Sequence, residues 1–147
     1  MPDKSVDLLL TDPPYGIGAD RNLRANRQHG KALAPSKDYG VKNWDNKIPS
    51  QDTFVEMLRV SKNQIIFGGN YFTAYLPPST CWIVWDKDNG NNNYADCELI
   101  WTSFKSAVRK VKWRWHGMLQ EDMKHKEVRY HPTQKPLGVL KWIIERY

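Results

Sequence analysis

The sequence predicts an α/β domain built around a mixed sheet. Three observations predict it. Val6 to Thr11 (VDLLLT) is a short continuous apolar run ended by two prolines, the pattern of a buried parallel strand. A helical stretch from Ser50 to about Lys62 then leads into QIIF, Gln64 to Phe67. Strand, helix, strand in that order predicts a right-handed crossover between parallel strands. Last, Cys81–Asp86 (CWIVWD) and Cys97–Ser103 (CELIWTS) are strand-like runs joined by DKDNGNNNYAD. That turn-rich link suits antiparallel pairing in the second half of the chain.

Each element has a local cause. The first strand must stop at Asp12, because Pro13 and Pro14 cannot donate to a ladder. Residues 16–49 show no sustained period, and a loop that long is usually functional or mobile. Ser50 is placed to cap the helix, with Phe54, Val55 and Leu58 on its inward face. Gly68-Gly69-Asn70 stops the second strand as a turn. Trp82, Trp85 and Trp101 are assigned to the core. Lys110 to His116 alternates basic and apolar residues, which predicts a half-exposed strand with one basic face. Pro136 opens a final helix whose apolar stripe is read as Leu137, Leu140, Ile143, Ile144 and Tyr147.

The 147 residues are read as a single domain, 1–147. It is expected to be incomplete at both ends, since the outer elements begin and stop almost at the chain's limits. Hydrophobic residues are 40% and charged residues 26%, a globular balance. No apolar run approaches the roughly 20 residues that span a bilayer. The charged N-terminus carries no secretory signal, so a cytoplasmic protein is expected. Cys81 and Cys97 form no CxxC pair and read as structural thiols. His29, His116, His125 and His131 lack ligand spacing, so no metal is expected.

Net charge is +6 and unevenly spread. Residues 16–47 hold seven basic and three acidic residues, and residues 105–135 hold nine and three. Segregated positive charge is a footprint for a polyanion, with ordinary solvated lysine as the alternative. Trp113 and Trp115 alternate with Lys112 and Arg114, and flat rings among cations suit phosphates and unstacked bases.

The densest chemical signal is Thr11-Asp12-Pro13-Pro14-Tyr15, at a strand's carboxyl end, where open α/β sheets bind ligands. An exocyclic amine on a nucleobase is a poor nucleophile, because its lone pair is delocalised into the ring. Two acceptors aimed at its two N–H bonds favour the tetrahedral nitrogen that attack requires. The Asp12 carboxylate can supply one and the Pro13 carbonyl the other, pre-aimed by the stiff prolines. Tyr15 offers a flat ring for a base taken out of the duplex. A plain Pro-Pro turn capped by Asp12 is the alternative.

The chain resembles the N6-adenine and N4-cytosine DNA methyltransferases in which the catalytic motif precedes the cofactor motif, phage-like members included. The resemblance is carried by PDKSVDLLLTDPPYG (2–16) and RYHPTQKPLGVLKWII (129–144), and also touches FGGN (67–70), CWIVWDK (81–87) and CELIWTSFK (97–105). It implies a partial Rossmann-like methyltransferase fold with S-adenosylmethionine as methyl donor. It further implies catalysis by Asp12, Pro13, Pro14 and Tyr15. Thr133, Gln134 and Lys135 would lie at the cofactor's methionine end, with Asp12 and Pro13 also beside the cofactor. Lys135 suits a carboxylate, and the N–H groups of the helix that Pro136 opens suit an anion.

Double-stranded DNA is the expected partner. Arg21, Arg24 and Arg27 in the long loop, and Lys110, Lys112 and Arg114 in the basic strand, are the expected contacts. Residues 105–130 are the candidate target-recognition segment. The resemblance implies a site-specific enzyme of restriction-modification or phage type, with adenine favoured over cytosine because position 12 is Asp rather than Ser. The family's glycine-rich cofactor loop does not occur before Tyr147, and Gly68-Gly69 lacks its spacing. Two further readings therefore stand beside the active enzyme. One is a silent fragment, or half of a split enzyme, that only binds DNA and is completed by a second copy or a complementary segment. The other is methylation of a protein amide.

Overall fold

The computed structural model describes residues 1–19, 43–90, 95–116 and 119–147. The first strand, β1 (Val6–Thr11), ends where the prolines begin. A 3-10 turn at Asn43–Asp45 precedes helix α1 (Gln51–Val60). Ser50 holds the cap position in extended backbone, but its hydroxyl meets the Thr53 hydroxyl at 3.2 Å. The Ser50 carbonyl, not its side chain, accepts the Thr53 N–H. Phe54 is fully buried, with Met57 and Leu58 packed beside it. Val55 was expected inward and is instead 56% exposed. Phe54, Met57 and Leu58 share one face at i, i+3, i+4, and Val55 stands about 100° away from it.

Helix α1 runs straight into β2 (Ser61–Phe67), which starts three residues earlier than QIIF suggested. The junction is closed by Lys4, whose Nζ donates to the carbonyls of Leu58 and Ser61 at 2.7 and 2.9 Å. The Leu58 carbonyl is one that a helix end leaves without an intrahelical partner. β1 and β2 pair in parallel, from Val6 opposite Ser61 to Thr11 opposite Ile66. Strands β3 (Trp82–Asp86) and β4 (Cys97–Thr102) pair antiparallel, as their turn-rich link predicted. β4 also pairs antiparallel with β2, and β5 (Arg109–Lys112) lies parallel to β3. The sheet order is β1-β2-β4-β3-β5.

This order decides where chemistry can gather. β1, β2, β3 and β5 all point one way and β4 alone runs back. The carboxyl ends of the four therefore share an edge with the amino end of β4. β1 is outermost among the described residues, so its side chains are half-buried rather than buried as expected for a strand with two neighbours.

The basic run 110–116 is not one strand. It breaks after Lys112, and Trp115–His116 (β6) pairs with Leu119–Gln120 (β7) in a separate hairpin. The predicted alternation survives the break: Val111 and Trp115 are buried while Lys110, Lys112 and Arg114 are exposed.

The final helix, α2 (Leu137–Arg146), follows Pro136. Its buried residues are Val139 and Ile143, with Leu140 and Tyr147 partly covered. Leu137 and Ile144, read as part of the stripe, are 64% and 61% exposed. The helix presents 139, 143 and 147 to the sheet, and that face is set by a close approach at Gly138. A β-carbon there would overlap the indole of Trp113.

Helices α1 and α2 cover opposite faces of the sheet. Ile65, Phe67, Ile83, Trp85 and Ile100 pack with α2, while Ile66 and Trp101 pack with Phe54 of α1. Trp85 and Trp101 are buried to 1% exposure and Trp82 partly so, in keeping with their core assignment. Cys81 and Cys97 are free thiols. Among the described residues no helix is long and apolar enough to cross a membrane.

Gly138→Ala is a sharp test of the helix approach. In an exposed helix interior the change would stabilise by up to about 1 kcal/mol. Here overpacking against Trp113 should reverse the sign and cost about 1–3 kcal/mol. Urea unfolding of the two proteins measures it.

Candidate functional site

Asp12 to Tyr15 leave β1 at the shared edge, and the turn is held from two sides. The buried Asp45 carboxylate accepts the N–H groups of Gly16 and Ala19 at 2.9 and 2.8 Å. The Tyr15 ring lies over Gly68, whose φ of +66° and lack of a β-carbon both matter, because a side chain there would overlap the ring. The turn after β2 is thus shaped to admit Tyr15. Tyr71 stacks on Tyr15 at 4.8 Å between centroids, and Phe72 meets it edge-on at 6.0 Å. The free stacking face expected of Tyr15 is therefore shared with Tyr71, which is itself 42% exposed.

Lys135 comes from 120 residues downstream and meets this turn. Its Nζ is 2.9 Å from Asp12 Oδ2, 3.2 Å from Glu98 Oε2 and 3.3 Å from the Tyr15 hydroxyl. It also lies 5.2 Å from the Phe67 ring centroid. The Tyr15 hydroxyl donates to Asp12 Oδ1 at 2.8 Å. Glu98, second in β4, is brought to the same edge by that strand's reversed direction, and Lys87 holds its Oε1 at 2.7 Å. Two acids and two cations thus alternate across β1, β4 and β3.

Burial alone would raise the Glu98 carboxyl, but the Lys135 and Lys87 ammoniums outweigh it and hold Glu98 below the usual carboxylate range. Burial, and then the Glu98 and Asp12 carboxylates, push the Tyr15 phenol far above its ordinary value. Tyr15 is accordingly a hydrogen-bond donor throughout the accessible pH range.

The motif Thr133-Gln134-Lys135 divides its labour. Thr133 Oγ1 bonds His131 Nδ1 at 3.0 Å, and the His131 ring packs against Trp44 at 5.0 Å. Gln134 was expected at a cofactor, but its amide closes its own loop. Its Oε1 accepts the Tyr130 N–H at 2.9 Å, and its Nε2 donates to the Val128 carbonyl at 3.1 Å. The start of α2 was expected to favour a ligand anion. Its first N–H, on Leu137, is taken by both oxygens of Glu127 at 3.1 and 3.0 Å. Lys135, expected to hold a carboxylate of the cofactor, pairs with Asp12 and Glu98 instead.

A cavity of about 590 Å³ joins these parts. Asp12 to Tyr15 and Thr133 to Lys135 both line it, and Trp44, Phe67 and Leu140 supply apolar surface. Such a volume is ordinary for a small-molecule site. Among the described residues no group of three or more His, Cys, Asp or Glu side chains is placed to hold a metal ion.

The basic strand reaches the same edge, roughly 19 Å from β1 by four strand spacings. Its expected DNA contacts are already paired. Lys110 meets Asp86 at 2.8 Å, Lys112 meets Asp88 at 2.9 Å, and Arg114 also bonds Asp88. Lys110 foremost holds the Asp86 carboxyl below its ordinary value, and Lys112 followed by Arg114 does the same for Asp88. The three cations remain exposed. Arg21, Arg24 and Arg27 lie outside the described residues.

No family model matches the chain, and no characterised protein matches its sequence. The site therefore stands on its own geometry. Sequence reading missed Glu98, Asp45, Lys87 and Tyr71. Glu98 did leave a signal, as one acid inside the otherwise apolar run CELIW.

Glu98 also gives the fold a pH signature. Its carboxyl is depressed in the folded chain, so its contribution is present above the ordinary glutamate value of about 4.3 and is lost as pH falls below it. Glu98→Gln should flatten the loss of stability on acidification. Thermal melts between about pH 3 and pH 7 measure this, and parallel curves for the two proteins would contradict the pairing.

Proposed function

We propose that this chain carries the amine-orienting part of an S-adenosylmethionine-dependent DNA methyltransferase acting on the N6 of adenine, within a partial Rossmann-like fold. The observation that supports it is the cavity lined by both Asp12-Pro13-Pro14-Tyr15 and Thr133-Gln134-Lys135. Neither motif demands the other locally, yet the fold brings them together across 120 residues.

The residues present fit this chemistry unevenly. Acceptors predominate at the β1 turn, which suits an amine. Apolar Phe67 and Leu140 with the Trp44 ring suit a sulfonium and its alkyl arms, because a cation is attracted to an aromatic face. The cations are already paired, so Lys135 does not present a free charge to a carboxylate. S-adenosylmethionine supplies a methyl group activated by its positive sulfur. The chain's own part is to hold the amine. Asp12 accepts one N6–H, the Pro13 carbonyl accepts the other, and the nitrogen lone pair is turned toward the methyl carbon. Bound S-adenosylmethionine would give up its methyl group from sulfur to this nitrogen, and Asp12 or water would take the surplus proton. Preorganised acceptors of this kind are worth about 10²- to 10³-fold in rate.

The decisive experiment incubates the protein with unmethylated DNA and labelled S-adenosylmethionine, then separates the nucleosides. N6-methyladenine is expected, with a loss of about 100-fold or more in Asp12→Ala. Methylation that survives Asp12→Ala would sink the mechanism. N4-methylcytosine as product would move the reading to the other base, and no methylated nucleoside from the intact protein would remove it.

A second experiment concerns DNA. Asp88 neutralises Lys112 and Arg114, so Asp88→Asn should release both toward phosphates. Tighter DNA binding is expected, with a salt dependence of log K steeper by about 2. Fluorescence anisotropy on a duplex at several salt concentrations reads it. An unchanged slope would place the DNA path away from β5.

A further inference from the structure

Each oxygen of Asp12 already has one partner, so an arriving amine competes with them for the carboxylate. Oδ1 accepts the Tyr15 hydroxyl at 2.8 Å and Oδ2 faces the Lys135 ammonium at 2.9 Å. An amine that takes the position of either partner displaces it. Released into an apolar cavity, either group would lose its partner at considerable cost.

Both occupants have the same second partner within reach. Glu98 Oε2 is 3.2 Å from Lys135 Nζ and 3.5 Å from the Tyr15 hydroxyl. Those distances are slightly longer than the bonds to Asp12, so Glu98 holds the weaker share in this state. Its other oxygen is pinned by Lys87 at 2.7 Å, which keeps Oε2 aimed at the pair. Glu98 sits on a strand rather than a loop, so its backbone is held by both β2 and β3.

We propose that Glu98 is a positioning residue that takes over Lys135 and the Tyr15 hydroxyl when the exocyclic amine of an adenine nucleotide reaches Asp12. The inference rests on the amine-orienting reading of this site. No covalent bond or proton changes hands in the exchange. The Asp12–Lys135 and Asp12–Tyr15 contacts give way to one N6–H bond to Asp12, while the existing Glu98–Lys135 and Glu98–Tyr15 contacts tighten. Lys135 and the Tyr15 hydroxyl thus keep a carboxylate partner, so the amine need not strand a buried ammonium. Relieved of Lys135, the Asp12 carboxylate is also the stronger acceptor. The ligand is recognised by its amine, and a purine without one has nothing to exchange.

That last point makes the test specific. Adenosine, and the purine nucleoside that lacks the 6-amino group, are each titrated into the full chain by calorimetry or NMR. S-adenosylhomocysteine is present in excess, so that any site for the donor's own adenosine is filled. The wild type is expected to prefer adenosine. In Glu98→Gln, which keeps the shape and loses the charge, that preference should fall about tenfold while the amine-free nucleoside binds as before. Glu98→Asp, with the charge kept and drawn back, should lie between the two. An equal loss for both nucleosides would mean a merely structural Glu98 and overturn the proposal. So would a preference within twofold of wild type, or a wild type without any preference for the amine. If only Glu98→Asp folds, its preference relative to wild type decides by the same margin. Methyl transfer is read separately. Transfer to DNA with an unchanged nucleoside preference would remove the Glu98 exchange alone. A lost preference in Glu98→Gln without any methyl transfer would remove the methyltransferase reading and leave the exchange standing.

Discussion

The placement of the Lys135 ammonium between Asp12 and Glu98 is the constraint on which the site depends. One cation is shared by two carboxylates, and its side chain is only 9% exposed. It ties the end of β1 to the start of β4, and ties both to the loop that opens α2. Burying one cation beside a single acid seldom repays desolvation. Alternating Lys87, Glu98, Lys135 and Asp12 gives each charge an opposite neighbour, so the group is close to neutral while staying polar. Tyr15 adds a donor that does not ionise. The result is a local charge pattern that tolerates low dielectric and still presents acceptors to a cavity.

That pattern exists because of one reversed strand. Had β4 run parallel to its neighbours, its second residue would stand at the opposite edge of the sheet, far from Asp12. Its antiparallel course brings Glu98 to the edge where β1, β2, β3 and β5 end. The turn-rich link between β3 and β4 sets this course, since a short connection of that kind joins antiparallel strands. Gly68 completes the arrangement from β2, because only a residue without a side chain lets Tyr15 lie across the strand end.

Much of this frame was legible in the sequence, and for identifiable reasons. Apolar runs stopped by prolines or glycines mark strands, so β1, β3 and β4 were placed within a residue. Motifs stiffened by proline kept their local meaning, and the two that were singled out do line one cavity. What stayed hidden was whatever depends on a partner distant in the chain. Val55, Leu137 and Ile144 were read inward because composition does not say which neighbouring residue faces the sheet. Gly138 against Trp113, and Lys4 at the end of α1, fix those faces through contacts between residues at least 25 positions apart. Gln134 and the first N–H of α2 looked available to a ligand, but Tyr130, Val128 and Glu127 had already claimed them.

The same lesson governs the basic surface. Counting lysines and arginines along residues 105–135 suggests a strong positive field. In the folded chain two acids at the end of β3 answer three of those cations. An aspartate at 86 or 88 belongs to another segment when charge is counted by sequence windows, yet pairing between adjacent strands puts it directly beside β5. The pairs are exposed, so each is weak and screened by salt, and a phosphate can compete for the cation. The strand thus offers charge that is held in register rather than free. A polyanion would compete with Asp86 and Asp88 for it, much as an amine competes with Lys135 and Tyr15 for Asp12. Along this edge of the sheet, groups suited to a ligand are kept satisfied by neighbours, and binding becomes an exchange of partners rather than the filling of vacant positions.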